Sequence, residues 1–185
     1  YDGRGRCVWK QLPGTQHIQY WYDDNDRLIY EQDAVLRAKN LIRFYLYDGL
    51  GRMEVQGVSS SYNLACSNAL VRMSSTASFL GTGYVPIKIG VSSGQLELVN
   101  YYDSYSFLQL PYFSELSKRI SGQGTLAAPV GLPTGSIAFT SQGASLCHAA
   151  YYDKRGLVVN EYQEYPNQTV VSKSVTYTFS GHPLE

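Results

Sequence analysis

The residues that most often do chemistry are sparse in this chain. Cys147-His148 sets a nucleophile beside a base. Neighbours along a strand point to opposite faces, so this pair cannot form the hydrogen bond that activates a thiol. No nearby residue supplies an oxyanion hole. Asp23-Asp24-Asn25-Asp26 has the carboxylate density of a calcium loop but lacks the distal Glu of an EF-hand and sits where a turn is expected. Gly81-Thr82-Gly83 lacks the Gly-Lys-Ser/Thr that completes a phosphate loop. His17, His148 and His182 are isolated, and Cys7, Cys66 and Cys147 form no CxxC, so no zinc site is expected. Three cysteines cannot all pair within the chain. They read as reduced or buried thiols, with one pair plus a free thiol as the alternative. No carboxylate couple suggests a glycosidase. The expectation is therefore a non-enzyme with no catalytic residue, cofactor or metal.

Charge narrows the partners. Fifteen basic and fifteen acidic residues cancel, and no basic block is present, which argues against nucleic acid. No run of eighteen apolar residues exists, so no membrane span is expected in this segment. The aromatic content is dominated by tyrosine, with 17 Tyr against 6 Phe and 2 Trp, which favours strands over helix bundles. Tyr20-Trp21-Tyr22, Tyr101-Tyr102 and Tyr151-Tyr152 put aromatics on both faces of their strands. Trp21, Tyr101 and Tyr151 are the candidate ligand-contact rings for a glycan or protein partner.

What must position these residues is a repeat. Tyr1-Asp2-Gly3-Arg4-Gly5-Arg6 returns as Tyr22-Asp23-Asp24-Asn25-Asp26-Arg27, as Tyr47-Asp48-Gly49-Leu50-Gly51-Arg52 and as Tyr152-Asp153-Lys154-Arg155-Gly156-Leu157. Weaker copies begin at Tyr102-Asp103 and at Tyr177, the latter with Gly181 at its fifth position. The tyrosines are 21, 25, 55, 50 and 25 residues apart, close to one or two units of 25 after the first gap. Asp opening a four-residue turn accepts a backbone N–H two residues on, and Gly supplies a positive φ, so Asp-x-x-Gly closes a hairpin with a glycine bulge. The flanks alternate as strands do: Ile18, Tyr20 and Tyr22 share one face, and Val175, Tyr177 and Phe179 another. Stacked in constant register, the tyrosines form a column. The arginine after the glycine is expected along a neighbouring ring with its planar head exposed.

The motif and its flanks resemble the YD repeat of RHS (rearrangement hotspot) proteins, in the form found in the Bacteroidetes group. The likeness is carried by Gly5-Arg6 with Leu12-Pro13-Gly14, by Tyr22-Asp23 with Arg27-Leu28, Gln32-Asp33 and Leu36-Arg37-Ala38, and by Gly131-Leu132-Pro133-Thr134-Gly135-Ser136 with Tyr151-Tyr152-Asp153 and Phe179-Ser180-Gly181. It covers residues 1–58 and 100–185. The resemblance implies hairpins building a twisted, curved wall that, in complete members, winds into a shell around a C-terminal cargo domain. It also implies a cell-surface or secreted location, and a segment of a longer chain whose partners are neighbouring repeats, a cargo domain, a surface glycan or a host protein. About six repeats are too few to close a shell, and no DPxG-rich self-cleaving segment is present. Asn167-Gln168-Thr169 matches the N-glycosylation pattern, which a bacterial source makes a chance match.

The expected fold is all-β and mainly antiparallel, a single YD-repeat domain over 1–185 with an irregular or helical insertion at 59–84. Cys66, Ala69, Leu70 and Met73 at i, i+3, i+4 and i+7 predict a short helix near 64–75. Asp33–Asn40 reads as a connecting loop, Phe113–Ile120 as a helical turn or two, and 122–133 as a long loop. Val85–Val91, Gln95–Tyr102, Gly135–Phe139, Cys147–Tyr152, Leu157–Tyr162 and Val170–Phe179 read as strands.

Overall fold

The computed structural model describes residues 1–74, 78–120 and 129–184. Among the described residues the fold is all-β, with twelve strands that are almost all antiparallel and few short helices. The chain forms two compact units, Tyr1–Glu97 and Leu98–Glu185.

In the first unit β1 (Trp9–Lys10), β2 (Ile18–Tyr22), β3 (Leu28–Gln32), β4 (Ile42–Tyr47) and β5 (Met53–Ser59) pair in sequence order, each antiparallel to the last. Between β3 and β4 lies α1 (Ala34–Ala38), where a loop was expected. Its Asp33 side chain accepts the Leu36 N–H at 2.7 Å, an N-cap that offsets the cost of nucleating a helix of only five residues. The period-two pattern of β4 decides which face is core. Ile42, Phe44 and Leu46 are buried, whereas Arg43, Tyr45 and Tyr47 are half-buried on the other side. Gly57 on β5 lies against the Phe44 ring and the Gln95 carbonyl, where a Cβ would collide with both.

The helix expected near 64–75 does not form over its described residues. Leu70–Met73 is a strand, β6, paired antiparallel with β7 (Tyr84–Lys88) and touching β4 through a parallel Tyr47–Leu70 pairing. Ala69 and Val71 are buried and Arg72 is exposed, so the true period is two. The helical spacing of Cys66, Ala69, Leu70 and Met73 was fortuitous in so short a run. Residues 75–77, at the end of that expectation and inside the 59–84 insertion, lie outside the described residues.

The second unit holds the end of β8 (Gln95–Tyr102), then β9 (Pro133–Phe139), β10 (Ser145–Tyr152), β11 (Val158–Glu164) and β12 (Val170–Ser174), again antiparallel neighbours. The last strand is shorter than expected, and Phe179 lies fully exposed in a turn rather than on a strand face. Between β8 and β9 come two 3₁₀ turns, Ser106–Gln109 and Pro111–Phe113, and α2 (Ser114–Ile120). They deliver Phe107, Phe113, Leu116 and Ile120 to the core. Phe107 stacks on Tyr101 at 4.6 Å and meets Phe113 edge-on at 4.8 Å. The loop expected over 122–133 falls outside the described residues up to 128.

Candidate functional site

The Y-D turns share one local geometry. Asp2, Asp23, Asp48 and Asp153 each accept, through Oδ1, the N–H groups two and four residues on, at 2.8–3.0 Å. Each aspartate N–H donates to the carbonyl of the sixth motif residue, and each fifth-position N–H donates back to the aspartate carbonyl. Gly5, Gly51, Gly156 and Gly181 have φ between +77° and +85°; Asp26 holds the same place at +64°. The expected bulge is present as a register shift beside the tyrosine in each hairpin, where Tyr22 faces Leu28, Tyr47 faces Met53 and Tyr152 faces Val158. The backbone donors hold the Asp2 carboxyl at about 2, the Arg6 N–H foremost, with the Arg6 guanidinium adding to them.

Successive turns are joined by a recurrent pair of contacts. The tyrosine hydroxyl donates to the backbone carbonyl of the residue that follows the preceding turn: Tyr22 to Cys7 at 2.9 Å, Tyr47 to Leu28 at 2.6 Å, Tyr152 to Pro133, and Tyr177 to Val158 at 2.8 Å. Burial raises the Tyr22, Tyr47 and Tyr152 hydroxyls above the ordinary phenol range. The arginine runs the other way. Arg6 lies 5.0 Å over the Tyr22 ring and Arg27 4.9 Å over Tyr47. The same guanidiniums bind their own aspartates at 2.7 Å through Nε and reach forward to the carbonyls of Asp23 and Asp48. The head expected to be exposed is therefore enclosed; only 15% of the Arg27 side chain meets solvent.

The second unit varies the parts and keeps the frame. Tyr102-Asp103 opens a turn that closes far along the chain. The Asp103 N–H donates to the Leu132 carbonyl at 3.2 Å, its carboxylate accepts the Gly131 N–H at 2.6 Å, Gly131 has φ +85°, and Tyr102 faces Pro133. The apparent weak copy is thus a repeat turn split along the sequence between Asp103 and Gly131, with the Gly131 N–H meeting the Asp103 carboxylate instead of its carbonyl and the Leu132 N–H donating to Pro129. In the last turn Thr178 replaces the aspartate, accepting the His182 N–H through its hydroxyl at 3.0 Å. Arg155, at the fourth motif position instead of the sixth, bonds Asp153 and reaches the Thr178 and Phe179 carbonyls at 2.9 and 3.0 Å.

The ligand-contact rings are largely corrected. Tyr101 is wholly buried, and Tyr151 is 6% exposed, stacked on Tyr105 at 4.4 Å. Both are core residues because the insert supplies their partners. Trp21 is half-buried. Cys147 is buried, its thiol donating to the Tyr112 carbonyl at 3.1 Å and pushed up to about 12 by burial. The three aspartates of 23–26 diverge. Asp23 serves its own turn, Asp24 accepts from Ser67, and Asp26 pairs with Arg4 and Arg6 at 2.9 Å. Among the described residues no group of three or more His, Cys, Asp and Glu is placed to hold a metal ion, and no helix is long and apolar enough to cross a membrane.

No protein-family model and no curated protein matches the chain. Among solved structures it is weakly similar to the crystal structure of TcdB2-TccC3-TEV, at 11% identity and a TM-score of 0.25, over 96% of this chain and 9% of that one.

Proposed function

We propose that this chain is a non-catalytic wall segment of an RHS/YD-repeat protein of the cell surface or secreted space, bound mainly to neighbouring repeats of its own chain. The observation that supports this reading is the ladder. Four tyrosine hydroxyls reach back to the preceding turn, and arginines reach forward to the next. A motif spent on its neighbours serves assembly rather than turnover. A C-terminal cargo domain is the partner that this role implies. Recognition through Tyr101 and Tyr151 is not proposed, since both rings lie in the core.

The test is a length series. Adding Y-D-x-x-G-R hairpins at either end should raise the urea midpoint step by step, because each repeat gains contacts from the next. A midpoint unchanged by added repeats, or specific turnover lost on replacing one polar residue, would contradict the proposal. Surface labelling of cells producing the parent protein tests its location.

A further inference from the structure

The ladder does not use the hairpin between β11 and β12, which carries Asn167-Gln168-Thr169. Its turn is built on the frame of the Y-D turns. The Tyr165 N–H donates to the Thr169 carbonyl at 2.9 Å, the Gln168 N–H donates back to the Tyr165 carbonyl at 2.8 Å, and Gln168 has φ +63°. Tyr165 stands where those turns have aspartate and brings no carboxylate. Asn167 fills in from two residues on. Its Oδ1 accepts the Thr169 N–H at 3.1 Å, the counterpart of the N–H that each motif aspartate collects four residues along.

That duty occupies one end of the carboxamide only. Among the described residues the Asn167 Nδ2 group and the Thr169 hydroxyl have no hydrogen-bond partner, and residues 165–169 are all exposed. The length of β11 sets this tip about 20 Å from the Y-D turn at Asp153. By sequence alone Asn-x-Thr is a chance match in a bacterial chain, and a turn asparagine is ordinary. The structure adds chemistry to the pattern. An amide nitrogen is a poor nucleophile because its lone pair is delocalised into the carbonyl. A hydrogen bond to Oδ1 stabilises the charge-separated form and acidifies the Nδ2 protons, while leaving Nδ2 open to an incoming enzyme. Pro166 and the flanking strands make the turn preformed.

We propose that Asn167 is an N-glycosylation site. The donor is a sugar activated as a diphosphate ester, on a nucleoside or on a lipid. The Nδ2–C1 bond forms as the bond from C1 to the diphosphate oxygen breaks. One Nδ2 proton passes to the transferase's base, and the diphosphate leaves on its carrier. The Thr169 hydroxyl is the second recognition element. A bulky polar group at this tip meets none of the tyrosine or arginine links, so the site is independent of the wall role. It rests on the proposed surface or secreted location, which surface labelling tests without reference to the glycan.

The experiment is peptide mass spectrometry of the parent protein recovered from the cells that make it, read at the peptide holding residues 165–169. Asn167 should carry sugar. A single hexose points to a nucleoside-diphosphate donor, and a preassembled oligosaccharide to a lipid-diphosphate donor. Asn167→Gln should abolish the modification. Thr169→Ala, which keeps the N–H that Asn167 accepts, should abolish it too, with the strand signal in circular dichroism unchanged. Thr169→Ser should retain it. An unmodified Asn167 overturns the proposal; if surface labelling finds that same protein exported, the location reading survives. Sugar that persists in Thr169→Ala, or that sits on Thr169 itself, also overturns it.

Discussion

The two units solve one problem with different parts. In the first, three contiguous turns carry Arg6, Arg27 and Arg52 at the sixth position, each bound to its own aspartate. The second has Leu132, Leu157 and His182 there, one turn split by an insert, and a threonine for an aspartate. Both retain the side-chain oxygen that collects backbone N–H groups, the residue with positive φ, and the tyrosine hydroxyl on the preceding carbonyl. The turn frame and the tyrosine link therefore define the repeat, and the arginine reinforces it. The buried faces differ as well. Phe44 in the first unit meets Phe79, which follows the β6 strand, whereas Tyr101 in the second meets Phe107 and Phe113 from inside a turn.

The largest difference between the units should appear at the motif oxygen. Asp23 has a fully buried carboxylate that holds two N–H groups and Arg27, so Asp23→Ala should cost about 3 kcal/mol. Thr178→Ala removes one hydroxyl acceptor at a half-exposed site and should cost less than about 1 kcal/mol. Urea midpoints of the two variants, compared with the parent, decide the point; equal losses would mean that the arginine-free turn is no weaker.

Next comes the backbone. At Gly51 a Cβ would meet only the Arg27 Cδ, at an ordinary 3.9 Å, so Gly51→Val reports mainly the cost of a positive φ, about 1–2 kcal/mol by the same assay. A neutral result would remove φ from the definition of the repeat.

Acid should act on both units alike. Asp2 and Asp153 have folded-state carboxyls depressed below their unfolded values by backbone donors. Their contribution is fully present above the unfolded value near pH 4 and fades as pH falls, for Asp2 toward about 2. Carboxyl chemical shifts followed from pH 6 to pH 2 should show both titrating late; titration of either at the ordinary aspartate value would break the shared frame.

The smallest effect is a repair. Thr178→Asp with His182→Arg rebuilds the full motif in the last turn and should add about 0.5 kcal/mol, read as a rise in thermal midpoint. A loss would mean that the second unit has a frame of its own.

The sequence disclosed the turns because Asp-x-x-Gly is local chemistry, complete within six residues. It did not disclose the fourth turn's closure, since Asp103 and Gly131 are separated by a folded insert and only tertiary structure joins them. Thr140-Ser141-Gln142-Gly143 closes a hairpin by the same bonds and went unread, because threonine replaces aspartate there too. The Asp33 cap was readable as Asp followed by helix formers, but α1 is too short to show a period. Burial of Tyr101 and Tyr151 depended on Phe107 and Tyr105, residues whose placement no strand pattern gives.

The central claim is that neighbouring repeats are held by side chains reaching across. A double-mutant cycle on Arg27→Met and Tyr47→Leu measures that reach, because Arg27 belongs to one turn and the Tyr47 ring to the next. The ladder predicts a coupling of about 1 kcal/mol in urea unfolding. Losses that add to within about 0.3 kcal/mol would contradict it.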